Sequence, residues 1–203
     1  EVPHEYFLRI GREVPGMRLK GIRVGFVVTG SHCTLAQIIS QIEKLISEGA
    51  EVFPVVSNAV STTDTRFGKS TEWCSKLQKL TKKPLIKTVV EAEPIGPGKL
   101  FDILIAAPCT GNTLAKLANG ITDTPALMAI KAHLRNQRPV VIAISTNDGL
   151  GLNAKNIAAL LNTKSIYLVP FGQDNPAVKP NSLVAQMDKI IDTICHALEG
   201  KQV

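Results

Sequence analysis

Short runs of Ile, Val and Leu alternate along this chain with stretches that have helical spacing, and no other feature constrains the fold as strongly. Runs that are apolar throughout, without the in/out alternation of a half-buried strand, need cover on both faces, as in a parallel sheet flanked by helices. Residues 22–28 read as a buried strand by their Ile, Val and Phe content. Leu35, Ile38, Ile39, Ile42, Leu45 and Ile46 follow at i, i+3, i+4, i+7 spacing, and Gly49 stands where a helix ends in a left-handed residue. Residues 51–56 predict a second strand, Trp73, Leu77 and Leu80 a helix, and residues 85–90 a short third strand. A core strand is expected over 101–106, helices over about 112–119 and 125–135, and a strand over 140–144. A short helix around Ile157, Leu160 and Leu161, a last strand over 166–169 and an amphipathic helix over 183–198 complete the pattern. The expected fold is a single α/β domain: a doubly wound parallel sheet of five or six strands in three layers, Rossmann-like or flavodoxin-like.

Composition narrows the function classes. The longest apolar runs last about five residues, whereas a spanning helix needs roughly 20, so no membrane role is expected. The segment EVPHEYFLRIGREVPG has neither the basic start nor the apolar stretch of a secretory signal, and it precedes a Met17 that opens a typical domain start. Residues 1–16 are therefore read as a remnant or loose extension, and 17–203 as the domain. Cys33, Cys74, Cys109 and Cys195 contain no CxxC pair, which points to free thiols in a reducing cytoplasm. The formal charge of +6 invites a nucleic-acid reading, but nine aromatics in 203 residues offer no stacking platform. Arg9 and Arg12 against Glu1, Glu5 and Glu13 leave the extension at −1, so the excess belongs to the domain.

In doubly wound sheets, ligands bind at the carboxyl ends of the strands. The loops expected there share small hydroxyl and amide residues: Thr29, Gly30 and Ser31; Ser57; Thr110, Asn112 and Thr113; Ser145, Thr146 and Asn147. Such residues at helix N-termini, with free backbone N–H groups behind them, can hold an anion. Each alone is equally a helix cap. Four on one edge favour a phosphate-bearing ligand, although the first loop has neither GxGxxG nor GxxxxGK[ST]. The segment between residues 57 and 70 is polar and long for a βα connection, which marks it as a functional loop.

The stretch APCTGNTLAKLANGITDTPALMAIKAHLRNQRPVVIAISTN resembles the flavin-binding core of the flavoprotein superfamily, which includes the cysteine decarboxylases, phosphopantothenoylcysteine decarboxylase and the prenylated-flavin synthases. Within it, TGSHCT, VSNAVSTTDTRFGK, LRNQRPVVIAISTNDGLGLN and VPFGQDNPAVKPNSLVA resemble the B subunits of dipicolinate synthases of spore-forming bacteria. The resemblance implies an FMN-type flavin, FAD being the weaker fit. Gly30 and Ser31 would form the first phosphate loop, joined by Ser57. Pro108, Thr110, Asn112 and Thr113 would run under the flavin and its phosphate, and Ser145 and Asn147 would complete the site. It also implies a cytoplasmic homo-oligomer of the sporulating mother cell. There it would act as the flavin-linked oxidoreductase subunit that oxidises a dihydrodipicolinate-type intermediate. NADP would enter only through the A subunit partner.

Departures from the wider family matter as much. Where decarboxylases carry a catalytic histidine this chain has Pro94, and where the prenylated-flavin synthases carry an Arg-Glu pair it has Ser145 and Thr146. Decarboxylation and a non-catalytic scaffold role stand as alternatives. A cyclic dicarboxylate substrate needs a cation, and Arg66 in the long loop is the candidate, with a solvated loop residue or subunit contact as the alternative. His32 could serve an anion or a proton, or simply face solvent. Cys33 and Cys109 adjoin the expected site as reactive thiols or as small core filler. His4, His133 and His196 lack clustered acidic or thiol partners, so no metal is expected. The lysines at 76, 79, 82, 83 and 87 read as a solvated helix face.

Overall fold

Strands β3 (Ile103–Thr110) and β4 (Val140–Thr146) are buried along almost their whole length, and the rest of the domain is arranged to cover them. The computed structural model describes residues 17–203, so the reading of residues 1–16 as an extension falls outside the described residues. The parallel strands run in the order β2 (Glu51–Val56), β1 (Arg23–Val28), β3, β4, β5 (Ile166–Leu168). This is the flavodoxin-like order, with its reversal between β1 and β3.

The period-2 pleat sorts the strand residues into two cores. Val24, Phe26, Ile103, Ile105 and Val141 face α1 (Leu35–Ser47), α3 (Ser70–Thr81) and α8 (Ile190–Leu198). Val27, Leu104, Ala106, Val140 and Ile142 face the opposite layer: α4 (Val89–Ala92), α5 (Gly111–Ala118), α6 (Pro125–Leu134) and α7 (Ala154–Leu161). The helix face spelled by Leu35, Ile38, Ile42 and Leu45 is buried as its spacing predicts, and Gly49 takes φ 88° just beyond α1.

Four expectations need correction. Residues 85–90 do not form a strand: Ile86 makes one isolated bridge to Val55, and Thr88 then caps α4. A reciprocal capping box is the reason, with the Thr88 hydroxyl accepting from the Glu91 N–H and the Glu91 carboxylate accepting from the Thr88 N–H. The long loop after β2 contains a helix, α2 (Asn58–Thr62), and a Thr65–Gly68 bridge. Residues 183–198 are not one helix. Leu183–Ala185 is strand β7, which pairs antiparallel with the end of β4 and with β6 (Phe171–Gly172), and α8 starts only at Ile190. The sheet of the described residues therefore has seven strands, five of them parallel.

β4 shares one edge between two partners. β5 pairs with Val140, Val141 and Ile142, while β7 pairs with Ser145 and Thr146. The chain between β6 and β7 is thereby pinned over the carboxyl end of the sheet. No helix among the described residues is long and apolar enough to cross a membrane.

At the opposite edge, Asp102 opens β3 with its carboxylate buried, accepting from the backbone N–H and guanidinium of Arg23, and Arg138 lies 3.6 Å away. His133 of α6 is buried nearby and its Nε2 has no hydrogen-bond partner. Burial, helped by the Arg138 charge, pushes its pKa down to about 4, against the opposing pull of the Pro139 backbone and Asp102. Folding thus keeps this imidazole neutral, whereas the unfolded chain takes up a proton near pH 6.5. Stability is expected to fall by about 2 kcal/mol from this group alone between pH 7 and pH 5. Urea unfolding at the two pH values checks it: in His133→Gln that share of the pH dependence should vanish.

Candidate functional site

The candidate site is built on Thr29, the residue after β1. The β1–β3 ladder stops at Val27 and Ala106. Past it the Thr29 hydroxyl donates to the Pro108 carbonyl at 2.6 Å and accepts from the Thr110 N–H at 3.0 Å. One buried side chain therefore ties the two strand ends together where the connections diverge to opposite faces. A crevice opens there, as it must at a switch point. The cavity measures about 680 Å³, within the range of small-molecule sites.

Six of the nominated residues line it: Gly30, Ser31, Thr110, Asn112, Ser145 and Asn147. The capping alternative holds for one of them. The Thr110 hydroxyl accepts from the Thr113 N–H at 3.3 Å and contacts the Thr113 hydroxyl, so it caps α5. The Ser31 side chain caps nothing. It meets the Ser145 hydroxyl at 2.8 Å, bridging the first loop to the end of β4 across the cavity floor. The N–H groups of Gly111 and Asn112, in the first turn of α5, have no intrahelical acceptor.

The other four nominated residues do not line the cavity. Pro108 is buried, follows a cis peptide bond and contributes its carbonyl to Thr29. Thr113 is buried against Thr110. Ser57 is buried beside the first loop, where its N–H donates to the Val28 carbonyl, and its hydroxyl has no partner. Arg66 is exposed, with its guanidinium 4.8 Å from the centre of the Phe67 ring. It stays outside the cavity because α2 and the Thr65–Gly68 bridge fold the long loop on itself.

The sequence reading missed the other wall. The Asp148 carboxylate accepts from the Thr146 hydroxyl at 2.5 Å and from the Asn153 amide at 2.8 and 3.0 Å, and these bonds hold it below the usual carboxylate range. The Asn156 amide supports Asn153 at 2.9 Å. Gly111 presses against this cluster: a Cβ there would overlap the Thr146 hydroxyl and approach the Asn153 amide to 2.7 Å. Asp174, Lys179 and Ser182 reach the cavity from the β6–β7 connection, and Val184 from β7 itself. A polar ten-residue stretch between two apolar runs, QDNPAVKPNS, was the available signal for that wall.

The structure also decides between the two roles open to the cysteines. Burial pushes the Cys109 thiol up to about 12, so it is core filler, whereas Cys33 is exposed at the cavity. The His32 ring is half-buried and its Nδ1 has no partner.

A doubly wound sheet with a polar crevice at its β1/β3 switch point is the architecture of an α/β protein that binds a phosphorylated cofactor. The chain belongs to the Flavoprotein family, whose profile matches residues 14–199. It is 54% identical over 185 residues to the dipicolinate synthase B subunit of Bacillus subtilis strain 168, covering 91% of this chain and 92% of that one. The crystal structure of the dipicolinate synthase B subunit from Bacillus halodurans superposes with a TM-score of 0.84 at 52% identity, covering 91% and 95% of the two chains. A Burkholderia xenovorans protein solved in complex with FMN, described as a cubic cage for redox transfer, shares the fold. Its TM-score is 0.65 at 19% identity, covering 88% and 96%.

Gly111→Ala is expected to destabilise the domain by about 1–3 kcal/mol, because its neighbours are fixed by their own hydrogen bonds. Denaturant unfolding measures it, and an unchanged midpoint would show that the α5 terminus can move away from Asp148 and Asn153.

Proposed function

We propose that this chain holds an FMN-type flavin in the crevice and acts as the flavin-bearing B subunit of a dipicolinate synthase. Its reaction would be the oxidation of a dihydrodipicolinate-type intermediate. The open N-terminus of α5, ringed by the hydroxyls of Ser31, Thr110 and Ser145, is the observation that carries the reading. Free N–H groups, hydroxyls and the amides of Asn112 and Asn147 fit a phosphate monoester. Gly111 lines the cavity at the first turn of α5 and has no side chain to stand in front of those N–H groups. One anion nest in a cavity that also holds the carboxylates of Asp148 and Asp174 favours FMN over FAD, since a second phosphate would meet like charge.

The chemistry a bound flavin supplies is acceptance of a hydride. Aromatising a dihydropyridine dicarboxylate removes two electrons and two protons, which that chemistry suits. This chain's residues would anchor the phosphate at α5, offer Asp148 and Asn153 to the polyol chain, and exclude water with the β6–β7 connection. The 54% identity to a B subunit supports an A subunit partner, through which NADP would act, and work in the cytoplasm of a sporulating mother cell. A homo-oligomer is supported by exposed Leu150, Leu152 and Val178, which flank Asp148 and Lys179 on their loops. The decarboxylase alternative lacks a base: Pro94 is exposed in the 3-10 turn Glu93–Ile95.

Reconstitution tests the reading. Purified protein should retain one yellow FMN per chain, and failure to hold it at micromolar concentration overturns the cofactor assignment. Asn112→Asp adds a carboxylate to the first turn of α5, which favours the helix but repels a phosphate. FMN affinity should drop about 100-fold with the unfolding midpoint unchanged or raised. Turnover with the A subunit should fall in parallel, whereas unchanged turnover would make this chain a scaffold.

A further inference from the structure

The cavity has a cation that the sequence reading did not nominate. Among the described residues three charged side chains line it, Asp148, Asp174 and Lys179, and of these Lys179 alone is positive. It stands on the chain between β6 and β7, which is a built element. Pairing of β7 with Ser145 and Thr146 fixes one end over the sheet. Within the connection, the Lys179 N–H donates to the Asn175 carbonyl at 2.7 Å and the Gln173 amide to the Pro180 carbonyl at 2.7 Å. The Leu150 N–H, on the loop after β4, donates to the Asn181 carbonyl at 3.0 Å. Pro176 and Pro180 fix two further φ angles. The ammonium is thus presented from an ordered turn.

In this structure Lys179 pairs with Asp174 at 3.4 Å, and both side chains are substantially exposed. An exposed pair of this kind is weak and readily exchanged. A ligand carboxylate brought into the cavity offers the same chemistry as Asp174, with better exclusion of water. Asp148, on the neighbouring loop after β4, also lines the cavity, and its hydrogen bonds keep it ionised. A dianionic ring would be repelled by that carboxylate and attracted by the Lys179 ammonium, so its affinity depends on the one cation among the described lining residues.

We propose that Lys179 is the substrate-binding cation of this chain, exchanging Asp174 for one carboxylate of a cyclic dicarboxylate, in the role first expected of Arg66. The proposal rests on the reading of the crevice as a flavin site that meets such a substrate. The same ammonium could in principle serve the flavin phosphate, and the test separates the two anions. FMN-loaded protein is titrated with pyridine-2,6-dicarboxylate by calorimetry, while FMN affinity is measured separately by fluorescence. Lys179→Met should weaken dicarboxylate binding at least tenfold and leave FMN affinity within about twofold. Lys179→Arg should restore binding, and Asp174→Asn, which frees the ammonium, should tighten it several-fold. Equal dicarboxylate affinity in the wild type and Lys179→Met overturns the proposal. So does a wild type that holds FMN but ignores millimolar dicarboxylate, or a Lys179→Met variant whose loss is in FMN affinity. A wild type that retains no FMN removes the underlying reading and this one with it.

Discussion

Burial of β3 and β4 on both faces is the constraint from which the rest of the structure follows. A strand covered on both sides has no place for a polar side chain until it emerges from the core, and its backbone groups are consumed by parallel ladders. β3 therefore carries only apolar side chains from Ile103 to Cys109 and first exposes a hydroxyl at Thr110. β4 does the same, with polar residues beginning at Ser145. The chemistry is confined to one edge by the requirement that the core be dry, and the reversal of strand order between β1 and β3 decides where on that edge the crevice lies.

Thr29 converts that topology into a fixed geometry. Its hydroxyl holds the ends of β1 and β3 together beyond their last ladder bond, so the α5 terminus keeps a set distance from the first loop. On the far side, Gly111 lets α5 abut the Thr146, Asp148 and Asn153 cluster. The two contacts leave the N–H groups of the first turn facing a cavity whose walls are braced independently of any ligand. A side chain at either position that demanded more room would move the terminus, and the cost would be read in ligand affinity as well as in stability.

Local patterns were legible in the sequence, and non-local pairings were not. The strands over β1, β2, β3 and β4 were legible from their short length and β-branched content, and α1 and the helices around Trp73 and Leu127 from the helical spacing of their apolar residues. The capping box at Thr88 and Glu91 was legible too, as T-x-x-E, but a run of Leu, Ile and Val competed with it. β7 is three residues long and exists because the edge of β4 beyond Ile142 is left open by β5. Nothing within 183–185 announces that partner. The same reasoning divides the site. Residues at or just beyond a strand end, such as Ser31, Thr110 and Ser145, were found by counting from the apolar runs. Lys179 and Asp174 reach the cavity through β7, and Arg66 leaves it through a bridge between Thr65 and Gly68, so neither position followed from sequence distance.

The formal charge of +6 turns out to be a poor guide to the site. Surface pairs such as Arg18 with Glu48 and Lys83 with Glu51 cancel and add nothing to it, while the charged groups lining the cavity among the described residues are two carboxylates and one ammonium. At the α5 terminus, affinity for an anion would come from neutral donors aimed by the backbone, which are strong only where water is excluded. That arrangement separates two kinds of anion. On the proposed reading a phosphate would be held at the α5 terminus by N–H groups and hydroxyls, whereas a flat dicarboxylate would depend on the Lys179 ammonium. The scarcity of aromatic residues fits the same division, since the lining residues include no ring. On that reading, recognition in this crevice is a matter of where the neutral donors point and of how the Lys179 ammonium is shared between Asp174 and a ligand.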